Sequence, residues 1–315
     1  MTAGLARDLL GTTLLATTAP VVVAPAMHTE MWRHPATTAN MRTLRERGVI
    51  VVGPEDGPLT GGDSGPGRMS EPETIAAVAL ATASPKDLSG LRVVVSAGGT
   101  REPLDPVRYL GNRSSGRQGT AVAVAAAARG AEVALIAAHT DDGVLAEASA
   151  HPGVEVRRAG TAAELGDAVR AAAEGADVVI MAAAVADYRA AEVSDRKRTK
   201  EDAAGPALTL ELVETEDILA RLVRERAQGQ TVVGFAAETV AGTAELRERG
   251  VRKRRRKGVD LLIVNAVGWS EGFESPANAV IVIDAHDEVV AEAAGSKRAV
   301  ADAVWDAVLA ARRAR

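Results

Sequence analysis

Five short apolar runs, separated mostly by helix-like segments, constrain the fold of this chain more than any other feature. In order along the chain they read LRVVVSAGG, AEVALIAA, ADVVIMAAA, TVVGFAAE and VDLLIVNAV. Short β-rich runs that alternate with amphipathic helices are typical of a parallel sheet with helices on both faces. The pattern predicts a Rossmann-like, doubly wound and mostly parallel α/β fold.

The two ends of the chain depart from this alternation. The stretch NAVIVIDAHDEVVAEAA predicts a late β-hairpin over residues 278–294, followed by a helix from about Ser296. Residues 1–85 contain only two convincing strands, PVVVAPA and VIVVGP, before the linker SPKDLSG. We therefore expect two domains, a partial flavodoxin-like α/β segment at residues 1–85 and the main domain at residues 90–315.

Composition argues against several classes of protein. The chain has a net charge of -5 and no cysteine, so we expect no global attraction to nucleic acid, no disulfide and no thiolate site. No apolar run approaches the roughly 20 residues that span a bilayer. Arg7 and Asp8 also interrupt the amino-terminal stretch where a signal peptide would be apolar. We expect a soluble cytoplasmic protein without nucleic-acid or membrane partners.

The connection after the first apolar run is long and rich in small polar residues. Ligands of open α/β sheets bind beyond the carboxyl ends of the strands, but the dinucleotide fingerprint GxGxxG is absent here. Asn112, Ser114, Ser115 and Gly116 stand where we expect a helix to begin, near Ser115, and such residues can cap backbone amides or receive an anion. A serine-capped helix without a ligand and a nicotinamide-dependent oxidoreductase stay open as alternatives.

Two motifs together resemble a known family. SAGGTREPLDPVRYLGNRSSGRQG and AAAVADYR are closely similar to the phosphopantothenate-cysteine ligase domain of the bacterial bifunctional coenzyme A biosynthesis proteins, and the similarity runs from Leu91 to about residue 312. The resemblance implies CTP-dependent ligation of 4'-phosphopantothenate with L-cysteine through an acyl-cytidylate, assisted by Mg²⁺ and lysines. It also implies a homodimer formed through the ligase domain. A non-catalytic subunit descended from this family stays open as an alternative.

The resemblance implies roles for residues that match the family motifs. Asn112 matches the asparagine that contacts the acyl-cytidylate, and Lys197, in the altered motif RKRTK, matches a triphosphate-binding lysine; these two are the expected catalytic residues. The other residues that the resemblance assigns to nucleotide binding are Gly98, Gly99, Ser114, Ser115, Gly116, Ala182, Ala183, Ala184, Asp187, Thr215, Glu216, Asp217, Ile218, Phe235, Lys253 and Lys257. The motifs assign no metal ligand and do not separate CTP from ATP.

Three of these assignments compete with a purely structural interpretation. Lys253 and Lys257 lie in RKRRRKG at the carboxyl end of a predicted helix, where cations complement the helix dipole without any ligand. Because that helix leads into a strand, we expect its end at the sheet edge opposite the ligand crevice. Phe235, one of two phenylalanines in the chain, would by itself be assigned to the core.

The front segment resembles the last part of the family's flavin-dependent decarboxylase. APAMHTEMW, which contains Pro25, Ala26, Met27 and His28, is similar to a PAMNxxMW flavin motif, with His28 in place of the asparagine. LTGGDSGPGRM is similar to a substrate-covering loop, but Gly61 stands where that loop has its catalytic cysteine. The family's earlier flavin-binding strand and active-site histidine have no counterpart. We therefore expect a truncated decarboxylase domain without decarboxylase activity, and FMN binding is doubtful.

Overall fold

The computed structural model describes residues 1–60, 62, 64–83, 85–199, 208–240, 242–267 and 277–315. By its internal contacts the chain divides into two compact units, Met1–Pro85 and Lys86–Arg315. Among the described residues, no helix is long and apolar enough to cross a membrane.

The first unit contains short strands and four helices within its described residues. Its elements are α1 (Leu9–Ala16), β1 (Val22–Val23), α2 (Thr29–Arg33), α3 (Pro35–Glu46), β2 (Ile50–Val51), β3 (Glu55–Pro58), β4 (Ser64–Arg68) and α4 (Pro72–Ala83). The two expected strands, β1 and β2, pair in parallel. β3 and β4 form an antiparallel pair that the sequence does not predict, because its many Gly and Pro residues are typical of loops.

The second unit alternates strands and helices as the apolar runs predict. Its elements up to the middle of the unit are β5 (Arg92–Gly98), β6 (Arg101–Pro103), β7 (Tyr109–Gly111), α5 (Arg117–Ala128), β8 (Glu132–Ala138), α6 (Asp142–Ala150), β9 (Val154–Ala159), α7 (Ala162–Ala173) and β10 (Val178–Met181). They are followed by β11 (Tyr188–Ala190), β12 (Leu212–Glu214), α8 (Ile218–Glu225), β13 (Thr231–Glu238), α9 (Thr243–Lys257), β14 (Leu261–Ala266), β15 (Ala277–Ile283), β16 (Val289–Ser296) and α10 (Lys297–Arg313).

One sheet of eight strands forms the centre of this unit, and it confirms the predicted fold class. Its strand order is β16-β15-β14-β13-β10-β5-β8-β9. The six strands from β14 to β9 run parallel, and β15 and β16 add the expected antiparallel hairpin at one edge. The sequence pattern missed β9 at the other edge, because its residues alternate with charged side chains and form no apolar run.

Helices cover both faces of the sheet and divide the core into two layers. Val93 and Val95 of β5 point to the layer formed with α5 and α10, whereas Val94 points to the layer formed with α7, α8 and α9. This alternation follows from the two-residue period of a strand. In the first layer Trp305 of α10 is fully buried, and its indole N–H donates to the carbonyl oxygen of Val122 at 2.9 Å. Helices therefore cover both faces of the sheet, and the loops that could bind a ligand lie at the ends of its strands.

Candidate functional site

Two loops meet where the strand order of the sheet reverses, between β5 and β10. The amide of Ala184 donates to the carbonyl oxygen of Gly98 at 2.8 Å, and the amide of Thr100 donates to that of Ala184 at 3.2 Å. Gly98 has a φ of +85°, and a Cβ there would overlap the carbonyl oxygen of Ala138, so the position requires glycine. The glycines and alanines expected at the nucleotide site therefore lie side by side at the carboxyl ends of neighbouring strands.

Asn112 is held beside the end of β10. Its Nδ2 donates to the carbonyl oxygen of Val185 at 2.9 Å, and the residue is exposed. Within the described residues its amide oxygen makes no hydrogen bond. The side chain is thus oriented by one bond and retains an acceptor for a ligand.

The start of α5 differs from the sequence expectation. The helix begins at Arg117, two residues after Ser115, and its N-cap is Gly116, with a φ of +75° and no side-chain capping bond. A Cβ on Gly116 would lie 2.5 Å from Oγ1 of Thr140. The prediction of a serine-capped helix is therefore wrong, because the N-cap lies one residue after Ser115, at Gly116, which packs closely against Thr140.

A cavity of about 450 Å³ lies against α8, α9 and the face of the sheet. Nine residues assigned to nucleotide binding line it, namely Ala183, Asp187, Thr215, Glu216, Asp217, Ile218, Phe235, Lys253 and Lys257. They come from four separate parts of the chain, so only the tertiary fold brings them together. Half-buried Phe235 packs against the core and also presents part of its surface to this cavity.

The turn before α8 forms one wall of the cavity. The amide of Thr215 donates to the carbonyl oxygen of Asp187 at 2.9 Å, which fixes the turn to the loop after β10. Asp217 is the N-cap of α8, accepts from the amide of Ala220 at 3.0 Å and pairs with Lys257. Burial alone would raise the pKa of Asp217, but the hydrogen bonds from Lys257 and Ala220 outweigh it and the pKa is lowered. Asp217 is therefore a stable negative charge at the cavity wall.

The lysines of α9 reach the cavity, and the expectation that they lie away from the ligand crevice is wrong. Nζ of Lys253 lies 3.0 Å from Oε1 of Glu238, the last residue of β13, and Lys257 reaches Asp217. The cavity extends along the sheet face from Met181, at the end of β10, to the second residue of β14. The cavity is therefore long enough to include the end of α9. The rule that ligands bind beyond the carboxyl ends of the strands does not predict this.

Lys197 is not among the residues that line this cavity. It is exposed, and the chain next to it is bound to the turn between β6 and β7, where the amide of Arg198 donates to Oδ2 of Asp105 at 3.2 Å. Asp105 also accepts from the amides of Val107 at 2.9 Å and Arg108 at 2.8 Å. Burial alone would raise the pKa of Asp105, but these amides and the Arg108 guanidinium hold it well below its ordinary value. The segment that carries Lys197 is thus held in place by the contact between Arg198 and Asp105.

Three charged or aromatic residues that the sequence did not single out also line the cavity, namely Tyr188, Glu214 and Arg256. Tyr188 and Glu214 are paired across the small antiparallel sheet of β11 and β12, which no sequence pattern indicates. Arg256 could have been found, because it lies three residues after Lys253 and so on the same face of a helix.

In the first unit, the PAMH motif lies against strand β4. The amide of Met27 donates to the carbonyl oxygen of Gly67 at 2.9 Å, and a Cβ on Gly67 would overlap the carbonyl oxygen of Met27. His28 is the N-cap of the short helix α2. Oγ1 of Thr29 is buried without a hydrogen-bond partner in the described residues. Gly61, which replaces the expected catalytic cysteine, lies outside the described residues.

Metal coordination by the protein alone is not evident in the described part of the chain. No group of three or more His, Asp and Glu side chains there lies close enough to hold a metal ion. Mg²⁺ in nucleotide sites is typically bound by one or two carboxylates together with the phosphates of the substrate. Asp187 and Glu214, both on the cavity wall, fit that kind of shared coordination.

Two family models match the chain, one for each unit. Residues 88–311 match the DNA/pantothenate metabolism flavoprotein C-terminal domain, and residues 1–84 match the flavoprotein model.

The chain is also similar to curated proteins over nearly its whole length. It is 49% identical to the coenzyme A biosynthesis bifunctional protein CoaBC of Mycobacterium bovis, over 98% of this chain and 74% of that protein. It is 43% identical to the protein of the same name from Escherichia coli K12, over 88% of this chain and 66% of that protein.

Among solved structures, the C-terminal domain of a CoaBC protein aligns with a TM-score of 0.57 at 30% identity, covering 73% of this chain and all of that domain. A Cab2 mutant solved with phosphopantothenate-cysteine aligns with the same TM-score at 18% identity, covering 78% of this chain and 95% of that chain. At that identity the second likeness shows the fold alone.

Proposed function

The chain belongs to the family of bifunctional coenzyme A biosynthesis proteins, and from that membership we propose that residues 86–315 ligate 4'-phosphopantothenate with L-cysteine at the expense of CTP. The family combines phosphopantothenate-cysteine ligase and phosphopantothenoylcysteine decarboxylase activities. The observation that carries the proposal is the cavity beside α8 and α9, because it gathers residues that the family resemblance assigns to nucleotide binding from four separate parts of the sequence.

The proposed reaction has two steps. A carboxylate oxygen of 4'-phosphopantothenate attacks the α-phosphorus of CTP, the bond to the β-phosphate oxygen breaks, and pyrophosphate leaves. The cysteine amine then attacks the acyl carbon of the resulting acyl-cytidylate, CMP leaves with the bonding electrons, and the amine loses a proton. Activation is needed because a free carboxylate is a poor acylating agent.

The residues of the cavity suit a triphosphate nucleotide. Lys253 and Lys257 place positive charge where negative charge develops on the phosphoryl oxygens. Phe235 offers an aromatic surface for the base or the ribose. Asn112 does not line the cavity, but it is oriented by its bond to Val185 and is proposed to present an amide to the acyl-cytidylate. Lys197 is proposed as a further triphosphate contact, supplied by the segment whose Arg198 amide is bound to Asp105.

Mg²⁺ is part of the proposal as a companion of the nucleotide. When bound, it would offset negative charge on the phosphates. Asp187 and Glu214 are the side chains proposed to share it with the triphosphate, since both line the cavity.

A homodimer through this unit is proposed as well and is checked by the molar mass in solution.

The flavoprotein half is present, and the expected absence of decarboxylase activity is not supported. The flavoprotein model matches residues 1–84, and the relatives named above are bifunctional. The expectation that FMN binding is doubtful is likewise not borne out, because this family and this domain imply FMN. Buried Oγ1 of Thr29, with no partner among the described residues, and the close contact of Gly67 with Met27 suit a motif built around a bound group. Pro25–His28 are the residues proposed to hold FMN, which when bound supplies the redox chemistry of decarboxylation.

The ligase proposal is tested by pyrophosphate release from purified protein with CTP, Mg²⁺, 4'-phosphopantothenate and L-cysteine. We expect release that depends on 4'-phosphopantothenate, with ATP in place of CTP as a parallel arm. Folded protein that releases no pyrophosphate in either arm would contradict the proposal. Release with ATP alone would correct the nucleotide.

Asn112→Asp tests the role of the amide. The variant should release pyrophosphate once as the acyl-cytidylate forms, but turn over slowly, because a carboxylate repels the phosphate of the intermediate. Asn40→Asp, in the other unit, is the matched control and should behave as wild type. Unchanged turnover in Asn112→Asp would remove this residue from the mechanism.

A further inference from the structure

The basic run RKRRRKG is divided by the structure into two sets of side chains. Arg254 and Arg255 bind Asp287, in the turn between β15 and β16, at 2.8 and 2.7 Å. Arg252 pairs with Glu248 along the exposed surface of α9 at 3.2 Å. These three arginines therefore have structural partners away from the cavity.

The other set faces the cavity. Lys253, Arg256 and Lys257 are spaced by three and four residues, so they share one face of α9, and all three line the cavity. No other residue of the run does so. The helix thus presents three cations to the site, of which only the two lysines were expected from the sequence.

The three cations differ in what they already bind. Lys253 holds Glu238 and Lys257 holds Asp217. In the part of the chain that the structure describes, Arg256 makes neither an ion pair nor a hydrogen bond, although its charge helps to lower the pKa of Asp217. A phosphate group must therefore compete with, or share, the carboxylate of each lysine. It meets no such competitor at Arg256.

Resting on the proposed function, we infer that Arg256 is a third cationic ligand of the triphosphate of CTP, bound through its guanidinium. A guanidinium presents parallel N–H donors that match two oxygens of one phosphate. Arg256 lines the same cavity as the two lysines, so one phosphate chain bound there is proposed to contact all three cations. Lys253 and Lys257 then keep a carboxylate partner when the site is empty, while Arg256 is paired only when the nucleotide is present.

The inference is tested by measuring the Kd of CTP by calorimetry for Arg256→Gln and for the matched control Arg252→Gln, which removes one charge from the same helix outside the cavity. A charged hydrogen-bonded contact predicts a loss of about tenfold in CTP affinity for Arg256→Gln. The control should bind as wild type. The KM for L-cysteine should not change in either variant, since the lost contact is to the nucleotide.

Arg256→Lys separates the planar fork from the charge. It keeps the cation and is expected to bind CTP with an affinity between those of wild type and Arg256→Gln. Equal affinity of Arg256→Gln and wild type would overturn the inference while leaving the proposed function standing. Equal affinity of Arg256→Lys and wild type would overturn the two-oxygen contact. No CTP binding by the folded wild-type protein would overturn the proposed function together with this inference.

Discussion

The carboxyl ends of α5 and α9 are locally alike and have different surroundings. α5 ends at Ala128, and its C-cap Arg129 is followed by Gly130 with a φ of +97°; α9 ends at Lys257, followed by Gly258 with a φ of +70°. Cations complement the carboxyl end of a helix dipole, and glycine accepts the left-handed backbone that stops the helix. Judged by local chemistry alone, both basic residues are helix-ending cations.

At the end of α5 the cation is buried and fully partnered. The Arg129 side chain is 4% exposed and binds Asp87 at 2.7 Å and Asp306 at 2.8 Å. Arg129, at the end of α5, therefore links the segment before β5 to helix α10. Burial of an arginine is tolerated only when its charge and its donors are satisfied.

At the end of α9 the cations border a cavity, where we propose that a ligand replaces or shares their carboxylate partners. Lys257 pairs with Asp217, whose side chain is 47% exposed. The comparison teaches that the same local signal produces a structural clamp where carboxylates enclose it. Where the enclosure is incomplete, it leaves cations at the wall of a cavity, which we propose is a binding surface. The following predictions separate these two roles.

The largest effect is expected for Arg129→Met. Breaking a buried ion pair costs about 3–5 kcal/mol, and the partial exposure of Asp306 reduces this, so we expect a loss of about 3 kcal/mol in the free energy of unfolding. Urea unfolding of the two proteins measures it. At a temperature where the variant is folded, its Kd for CTP should equal that of wild type. Weaker CTP binding by the folded variant would break the proposed division of roles.

Lys257→Gln should show the reverse pattern. Loss of a charged contact to phosphate is expected to weaken CTP binding by about 2 kcal/mol, or roughly thirtyfold in Kd. The midpoint of urea unfolding should move little, because the pair with Asp217 is partly exposed and contributes little to stability. Calorimetry measures the binding. A large loss of stability with unchanged CTP affinity would make Lys257 a structural residue like Arg129.

Acid should weaken the α5 clamp. The hydrogen bond from Arg129 lowers the pKa of Asp87, so the folded-state pKa lies below the unfolded value of about 3.9. The stabilisation is therefore complete above that value and is lost as the pH falls through the folded-state pKa. We expect the free energy of unfolding to drop between about pH 5 and pH 2. The free energy of unfolding of Arg129→Met should fall less steeply over this pH range than that of wild type. The difference between the two falls should be smaller than the stability that the variant loses at neutral pH. Parallel curves of unfolding free energy against pH would contradict this account.

The smallest effect is expected for Arg157→Met. Arg157 pairs with Glu155 at 2.8 Å, but both side chains are largely exposed, and such pairs contribute little to stability. The midpoint of urea unfolding should shift by less than a third of the shift in Arg129→Met. A comparable shift would show that burial is not what distinguishes the α5 clamp.

Much of the fold could be predicted from local patterns, and most of what was missed depends on distant partners. The strands that became β5, β8, β10, β13 and β14 are apolar runs because both faces of a parallel sheet are buried. β9 was missed because it is a half-exposed edge strand. The pairs β6–β7 and β11–β12 were missed because their strands have only three residues each. Such short strands form only when they pair with each other.

The candidate site shows the same division. The family resemblance supplied Asp187, Phe235 and the turn before α8, which line one cavity. It also assigned Lys253 and Lys257, but the argument from strand ends placed them away from the site, because the length of the cavity along the sheet is set by how α8 and α9 pack. The N-cap of α5 is Gly116 and not a serine, and the neighbouring Thr140 leaves no room for a Cβ at Gly116.

The sequence by itself determined the doubly wound sheet, the late hairpin and the family, since periodicity and motifs are encoded in neighbouring residues. Only the tertiary structure decided which cation is enclosed by carboxylates and which one lines a cavity. Arg129 and Lys257 carry the same charge at similar helix ends, but Asp87 and Asp306 close around one, and a cavity opens beside the other. The effect of a charge depends on its burial and its partners, and here those partners lie tens to hundreds of residues away along the chain.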